Sequence, residues 1–184
     1  YLQAIKDAGF DVLLTANNHC LDRGKKGLER TIAQIDSLAI PYAGTYRNAA
    51  ERKQRYPLFI RKKGSCIAIL NYTYGTNGIK ATPPNIVNYI NKETILKDIH
   101  SAQAVRPDAI IACMHWGEEY QSLPNREQRE LADWLLEQGV THIIGSHPHV
   151  IQPMELREEG NRQHAVVYSL GNFISNMSAA NTDG

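Results

Sequence analysis

Residues 108–120 read DAIIACMHWGEEY, and this stretch decides the fold class of the chain. The short apolar run from Asp108 to Met114 predicts a strand buried in a sheet. A polar segment that begins with His115 follows directly where this strand ends. Buried strands of this kind occur in sheets that helices cover on their faces. The stretch therefore favours an α/β protein with functional side chains at a strand end.

The same pattern recurs on both sides of this stretch. Residues 11–15 and 141–144 form two more short apolar runs, and residues 56–60 and 66–72 are predicted to be strands joined by a turn. Residues 74–84 are rich in Gly, Thr, Asn and Pro, which predicts a loop. Near the end, the predicted strands 150–157 and 164–170 flank the turn residues 158–161 and so predict a hairpin.

Helical patterns separate these strands. Leu28, Ile32, Ile35 and Ala39 keep helical spacing up to Pro41. Asn91 and Asn125 are predicted N-caps of two further helices. Alternating helices and strands with a terminal hairpin predict one α/β domain with a mixed sheet over residues 1–184.

Composition narrows the function classes. The 184 residues carry 20 Lys and Arg against 19 Asp and Glu, so no basic surface for nucleic acid is expected. The odd count of three cysteines argues against a complete disulfide framework, and no cysteine lies beside His147 or His149, which argues against a thiolate zinc site. The chain enters a helical pattern at once, without a start signal, so we expect it to be a piece of a longer protein.

Metal-binding residue types follow each of the three buried runs. Because ligands gather at the carboxyl ends of strands in α/β sheets, we expect these loops to meet at one edge. Imidazole nitrogens and amide or carboxylate oxygens suit Zn, Fe, Mn or Ni. A turn is needed for His147 and His149 to converge, and Gly145 is a candidate to form it. The residues concerned are Asn17, Asn18, His19, His115, Glu119, His147 and His149.

Each of these features alone has a plainer interpretation. A single histidine at a strand end is usually a hydrogen-bonded or surface residue, and an Asn-Asn pair usually forms a turn. Three such loops together favour a shared site. The remaining histidines are excluded from it: His100 and His164 are predicted to be solvated, and His142 lies at the opposite end of its strand.

Four segments resemble motifs of the CapA family, which is associated with bacterial poly-γ-glutamate capsule synthesis and is related to calcineurin-like metallophosphoesterases. The segment NNHCLDRGKKGL at residues 17–28 is similar to the family element NNHxxDxGxxG. Residues 115–120 resemble HWGxEY, residues 145–153 resemble GSHPHVxQP, and residues 168–173 resemble YSLGNF. The four motifs occur in the family order and span nearly the whole chain.

The resemblance implies a metallophosphoesterase-like fold of two β-sheets flanked by helices, in α-β-β-α layers. It implies that Asn18, His115, His147 and His149 are metal ligands and that His19 contacts the substrate and acts as the general acid. Asn17, Asp22 and Glu119 are weaker candidates, either to contact the substrate or to orient the ligands. Enzymes of this superfamily use two divalent metal ions, here Mn, Fe or Zn, to polarise the substrate and activate water.

The superfamily also has an aspartate-bearing strand motif that supplies further ligands, and nothing in residues 1–10 resembles it. We therefore expect this chain to hold part of a dinuclear site. The resemblance implies a capsule biosynthesis protein that is a metal-dependent hydrolase of a phosphoester or a glutamyl amide. The alternative is a non-catalytic component of a capsule synthesis and export system.

Expected partners follow from the same resemblance. They are an anionic polymer or a small-molecule substrate, together with other capsule-synthesis proteins, and they do not include nucleic acid. The implied location is extracytoplasmic, with an anchor, if there is one, outside this chain.

Overall fold

The computed structural model of the chain describes residues 1–174. The α-helices in this range are α1 (Leu2–Asp7), α2 (Gly24–Ser37), α3 (Ala49–Arg55), α4 (Lys92–Ala104) and α5 (Arg126–Glu137). The strands are β1 (Leu13–Leu14), β2 (Tyr42–Ala43), β3 (Thr45–Tyr46), β4 (Leu58–Lys62), β5 (Ser65–Thr73), β6 (Ile86–Val87), β7 (Ala109–His115), β8 (His142–Ser146), β9 (Met154–Glu159) and β10 (Arg162–Val167). Residues 175–184 of the predicted domain lie outside the described range.

The main sheet has six strands in the order β4-β5-β7-β8-β10-β9. Its four inner strands are mutually parallel, while β4 and β9 pair antiparallel at the two edges. Two smaller sheets accompany it: β1 pairs parallel with β2, and β3 pairs antiparallel with β6. The prediction of an α/β fold with a mixed sheet and a C-terminal hairpin is confirmed.

One face of the six-stranded sheet packs into the helix-covered core. Leu70 of β5, Ala112 of β7 and Ile143 of β8 are neighbours in register and are fully buried. The helices bury their apolar stripes in the same cluster, because residues three and four apart share one face. These helical core residues are Leu28, Ile32, Ile35, Ile95, Ile99, Ala102, Leu131, Ala132 and Leu135.

Polar side chains define the helix starts that the sequence predicts. The Asn91 side chain accepts a 2.9 Å hydrogen bond from the Thr94 amide. Asn125 and Gln128 form a reciprocal capping box at the start of α5. Both predicted N-caps are therefore confirmed. None of the helices in the described range has the length and apolar character needed to cross a membrane.

The first predicted strand differs from the expectation. Instead of residues 11–15, only Leu13–Leu14 is a strand, and it pairs with Tyr42 and Ala43 in a separate sheet. The three candidate loops therefore do not arise from one sheet. The sequence analysis also missed α3 and the two-residue strands β2, β3 and β6. Short pieces of this kind are specified by their tertiary partners and carry no periodic signal of their own.

His164 is a second correction. The sequence analysis predicted a solvated side chain, but His164 is buried on the core side of β10, and its Nδ1–H donates a 2.9 Å hydrogen bond to the Thr141 carbonyl. The two hairpin strands also lie closer to the turn than predicted. They are Met154–Glu159 and Arg162–Val167, instead of residues 150–157 and 164–170. His100 is exposed, as predicted, and His142 opens β8 at the end away from Ser146.

Candidate metal centre

The ends of two parallel neighbours, β7 and β8, form the floor of the site. His115 is the last residue of β7 and lies in register with Ser146, the last residue of β8. The Trp116 amide donates a 3.1 Å hydrogen bond to the Ser146 carbonyl and continues the ladder past both strands. The ring centroids of His115 and His147 are consequently only 4.8 Å apart.

The turn after β8 brings His147 and His149 to the same side. Their φ angles are 105° and 63°, in the left-handed region that residues with a Cβ rarely adopt. Such residues cost of order 1–3 kcal/mol each and occur preferentially at functional sites. The two ring centroids lie 6.1 Å apart. The predicted convergence of this pair therefore occurs, and the two histidines themselves make the turn.

Gly145 has a different role from the one predicted. It belongs to β8, and a Cβ at this position would overlap the Tyr168 carbonyl oxygen and lie 2.5 Å from Trp116 Nε1. The Trp116 Nε1–H donates a 2.9 Å hydrogen bond to that same carbonyl. Glycine is needed here because the backbone and the indole approach closely, not because of a turn.

Asn18 comes to the site from the loop after β1, which belongs to a different sheet. Its side-chain oxygen accepts a 2.9 Å hydrogen bond from His115 Nε2. Two ligands of one metal ion are separated by about 3 Å, since each metal–ligand distance is roughly 2.0–2.2 Å. Asn18 is only 4% exposed, so this pair lies inside the protein. The arrangement fits a shared cation.

Asn71 of β5 joins this loop to the main sheet. Its side-chain oxygen accepts a 2.9 Å hydrogen bond from the Ala16 amide, and its side-chain NH₂ donates to the Cys113 carbonyl at 3.1 Å. Gly44 lies against both Ala16 and Asn71 so closely that a Cβ would overlap them. One buried amide thus fixes the loop that carries Asn18 over the carboxyl end of β7.

His147 carries the clearest sign of a ligand. The side chain is 7% exposed, and its buried Nδ1 has no hydrogen-bond partner among the described residues. A buried polar atom without a partner costs roughly 1–3 kcal/mol. A metal ion bound at this nitrogen would remove that cost.

Burial favours the neutral imidazole of two histidines of the site. It lowers the pKa of His115 to about 3, and the neighbouring His147, His149 and His19 lower it further in the same direction. Burial also lowers the pKa of His147, although the charge of Glu119 opposes this shift. Metal ions bind the neutral imidazole, so both side chains are in the ligand form at neutral pH.

The protein also orients its candidate ligands. His149 Nδ1–H donates a 2.8 Å hydrogen bond to the side-chain oxygen of Asn172, which leaves Nε2 as the acceptor nitrogen. The Ser146 hydroxyl contacts His115 Nδ1 at 3.2 Å. Metal-binding histidines characteristically make such a bond with the second ring nitrogen, because it holds the tautomer and the ring orientation.

His19 lies at the margin of the site with an acidic partner. Its Nδ1 is 2.8 Å from Asp22 Oδ2, and the two side chains are 60% and 49% exposed. The Asn17 side chain accepts a 2.9 Å hydrogen bond from the His19 amide and shapes the turn. Asp22 and Asn17 therefore orient His19, whereas His19 remains open to a molecule that approaches from solvent.

Glu119, from the segment after β7, lies near the two histidines of the turn after β8. One carboxylate oxygen of Glu119 and one ring nitrogen each of His147 and His149 lie within 4.8 Å of one another.

A cavity of about 340 Å³ lies next to the site, against the face of the main sheet opposite the helix-covered core. Leu14, Ile144 and Leu170 form its apolar wall, while Asn18 and His115 are among its polar residues.

Three residues of the site were not assigned by the sequence analysis. The Tyr74 ring contacts the His147 ring at a tilt of 42°, with centroids 4.7 Å apart, and burial together with the charge of Glu119 raises the pKa of Tyr74. Asn77 accepts a 3.2 Å hydrogen bond from the Asn18 amide group. Asn172 lies in the quoted 168–173 motif, which could have identified it. Tyr74 and Asn77 lie in the 74–84 loop, where no local pattern indicates a role.

The chain has a metallophosphoesterase-like fold. The sulfate thiohydrolase SoxB of Thermus thermophilus, solved in complex with glycerol, superimposes with a TM-score of 0.57 at 14% identity, over 91% of this chain and 29% of that chain. A candidate 5′-nucleotidase of Staphylococcus aureus, in complex with α-ketoglutarate, gives the same TM-score and identity over 92% of this chain and 34% of that chain. The predicted fold class is thus confirmed.

The family follows from sequence similarity. The family described as bacterial capsule synthesis protein PGA_cap matches residues 1–177. The capsule biosynthesis protein CapA of Bacillus anthracis is 33% identical over 180 residues, which cover 94% of this chain and 42% of that protein. The PGA biosynthesis protein CapA of Bacillus subtilis (strain 168) is 32% identical over 177 residues, 94% of this chain and 44% of that protein. The chain belongs to this family of bacterial capsule synthesis proteins and spans less than half the length of these relatives.

Proposed function

We propose that the protein is a metal-dependent hydrolase of capsule biosynthesis and that Asn18, His115, His147 and His149 hold its metal ions. The observation that carries this proposal is the buried Nδ1 of His147, which has no partner among the described residues and whose ring lies 4.8 Å from that of His115. A half-buried set of nitrogen and oxygen donors suits Zn, Fe or Mn. Two such ions are proposed for the whole protein. When bound, a divalent ion supplies positive charge that polarises a phosphoryl or carbonyl group.

His19 is the proposed general acid. Asp22 accepts a hydrogen bond from its Nδ1, so the imidazole is oriented with Nε2 available to donate a proton to a leaving group. The superfamily pattern places an acidic residue directly after this histidine, whereas here Asp22 follows three positions later. The 2.8 Å contact between His19 Nδ1 and Asp22 Oδ2 supports the proposal that Asp22 orients the histidine from this different position.

The proposed substrate is a phosphoester or a glutamyl amide, either in an anionic polymer or in a small molecule. The names of the two Bacillus relatives, a capsule and a PGA biosynthesis protein, support a role in the cell envelope, and we propose an extracytoplasmic location. Other capsule-synthesis proteins are the proposed partners. In the alternative function, the same surface serves assembly of the capsule system without catalysis.

Metal content and hydrolysis, measured on the same preparations, test the proposal. The intact protein, purified without chelator and reconstituted with Mn, Fe or Zn, is assayed with bis(p-nitrophenyl) phosphate and with a γ-glutamyl p-nitroanilide. His147→Ala removes the unpartnered ligand, and His100→Ala is the matched control, because His100 is exposed on α4. We expect metal and hydrolysis in the wild type and in the control, and loss of both in His147→Ala.

Two results would contradict the proposal. Unchanged metal content in His147→Ala would remove the basis for the shared site. Bound metal without hydrolysis of either compound class would favour the assembly function.

A further inference from the structure

The cluster described above has one deficit in charge. None of Asn18, His115, His147 and His149 can supply a negative charge, so a divalent cation among them would keep its full positive charge in a largely buried place. Such a charge is costly unless an anionic group pairs with it. Among the described residues, Glu119 is the carboxylate that lies with two of these histidines.

Backbone contacts hold the Glu119 segment next to the histidine turn. The Tyr120 amide donates a 2.8 Å hydrogen bond to the carbonyl of Pro148, the residue between the two histidines. The Tyr120 ring also stacks on His149, with centroids 6.0 Å apart and 24° between the planes. Although the Glu119 side chain is exposed, its backbone is therefore fixed beside the turn.

We infer that Glu119 is a direct metal ligand and that it forms, with His147 and His149, a site for one divalent cation built only from the segments that follow β7 and β8. Two imidazoles and one carboxylate are a donor set that binds Zn²⁺ or Fe²⁺ and leaves open positions. This inference rests on the metal binding of the proposed function and adds to it the anionic ligand.

The distances fit this assignment. The three donor atoms lie within 4.8 Å of one another, and ligands of one tetrahedral ion are separated by roughly 3–3.5 Å. The buried Nδ1 of His147 is an independent indication, because this nitrogen lacks a protein partner on a side chain that is 7% exposed.

Glu118 provides a matched control. It is the preceding residue, has the same side chain and is also exposed, but its carboxylate faces Asn125 at the start of α5, at 3.5 Å. Glu118→Gln and Glu119→Gln change the net charge of the protein equally. A difference between the two variants therefore reports on position and not on overall charge.

The test is a titration of the metal-free intact protein with Co²⁺ and with Zn²⁺, followed by calorimetry and, for Co²⁺, by visible absorption. We expect Glu119→Gln to bind at least about tenfold more weakly than the wild type and to change the Co²⁺ spectrum. Glu118→Gln should match the wild type. Glu119→Asp, which keeps the carboxylate, should bind more tightly than Glu119→Gln.

The outcomes separate this inference from the proposed function. Wild-type affinity and an unchanged Co²⁺ spectrum in Glu119→Gln would overturn the role of Glu119 and leave the proposed metal site intact. No binding of either ion by the wild type would overturn the proposed function itself. Thermal unfolding of the metal-free variants should coincide with that of the wild type, because both glutamates are exposed. If Glu119→Gln does not fold, the metal affinities of Glu119→Asp and Glu118→Gln are compared instead.

Discussion

The imidazole of His115 and the side-chain oxygen of Asn18 lie 2.9 Å apart, although 97 positions separate the two residues in the sequence. Two different sheets meet at this contact, since His115 ends β7 of the six-stranded sheet and Asn18 follows β1 of a two-stranded sheet. Asn71 bridges the two through the Ala16 amide and the Cys113 carbonyl. The candidate metal centre therefore depends on how these sheets are joined.

The His19–Asp22 pair gives a prediction about proton transfer. Asp22→Asn keeps the shape of the side chain but removes the negative charge that faces His19 Nδ1. If His19 is the general acid, we expect hydrolysis to fall at least about tenfold, and by about a hundredfold or more in His19→Ala. Metal content should be unchanged in both variants.

The measurements for this pair are kcat and metal per chain. Glu130→Gln serves as the control, because it breaks a comparably exposed ion pair with Arg126 on α5. Stability should change little in every variant, since exposed ion pairs contribute about 0–1 kcal/mol. Loss of metal from His19→Ala as large as that from His147→Ala would show that His19 is a ligand.

Asn172 gives a prediction about ligand orientation. Its side-chain oxygen accepts the Nδ1–H of His149 at 2.8 Å and so sets which ring nitrogen faces the site. Asn172→Ala should weaken Zn²⁺ binding about 10–100-fold, the range found when such orienting partners are removed. Calorimetric titration measures the effect, with Asn161→Ala in the hairpin turn as control. Equal affinities in the two variants would exclude an orienting role.

Gly145 gives a prediction about packing. Gly145→Ala would force the new methyl group into the Tyr168 carbonyl and the Trp116 indole, which should destabilise the protein by about 1–3 kcal/mol. Gly75→Ala is the control, because a Cβ at Gly75 meets no atom within 4 Å. Urea denaturation compares the two free energies of unfolding. A Gly145→Ala variant as stable as the control would show that this contact is readily relaxed.

His142 gives a prediction about pH. Burial lowers its pKa below the usual 6.5, and the nearby His164 lowers it further. Its Nδ1 also accepts a 3.1 Å hydrogen bond from the Ala165 amide, which requires the unprotonated nitrogen. The unfolded chain therefore takes up a proton at higher pH than the folded protein, so the free energy of unfolding should fall as pH drops below about 6.5.

The substitution that isolates this effect is His142→Gln, because glutamine does not titrate. Urea denaturation of the metal-free protein at pH 7.5 and pH 5.5 should show a smaller loss of stability in His142→Gln than in the wild type. The histidines other than His164, which interacts with His142, contribute equally to both proteins. The same loss in both would mean that His142 has an ordinary pKa in the folded protein.

Local sequence patterns were sufficient to predict the long helices and the long inner strands of the fold. The apolar stripes of α2, α4 and α5 and the caps at Asn91 and Asn125 predict these helices, because periodicity and capping act within one or two turns. The long parallel strands β5 and β7 were predicted from their apolar runs, which are also local signals. The two-residue strand β1 was overextended, and β2, β3 and β6 were missed, because their pairing is decided by distant residues.

The candidate site divides in the same way. Local sequence was enough to predict the kinds of side chain involved: which histidines, amides and carboxylates follow the buried strands, and that His147 and His149 must turn to converge. Their geometry depends on the folded chain. The meeting of two sheets placed Asn18 against His115, the packing of the 74–84 loop placed Asn77 against Asn18, and the burial of His147 Nδ1 and His164 followed from the same packing. Burial and contacts between residues far apart in the sequence depend on the whole fold, and no local pattern encodes them.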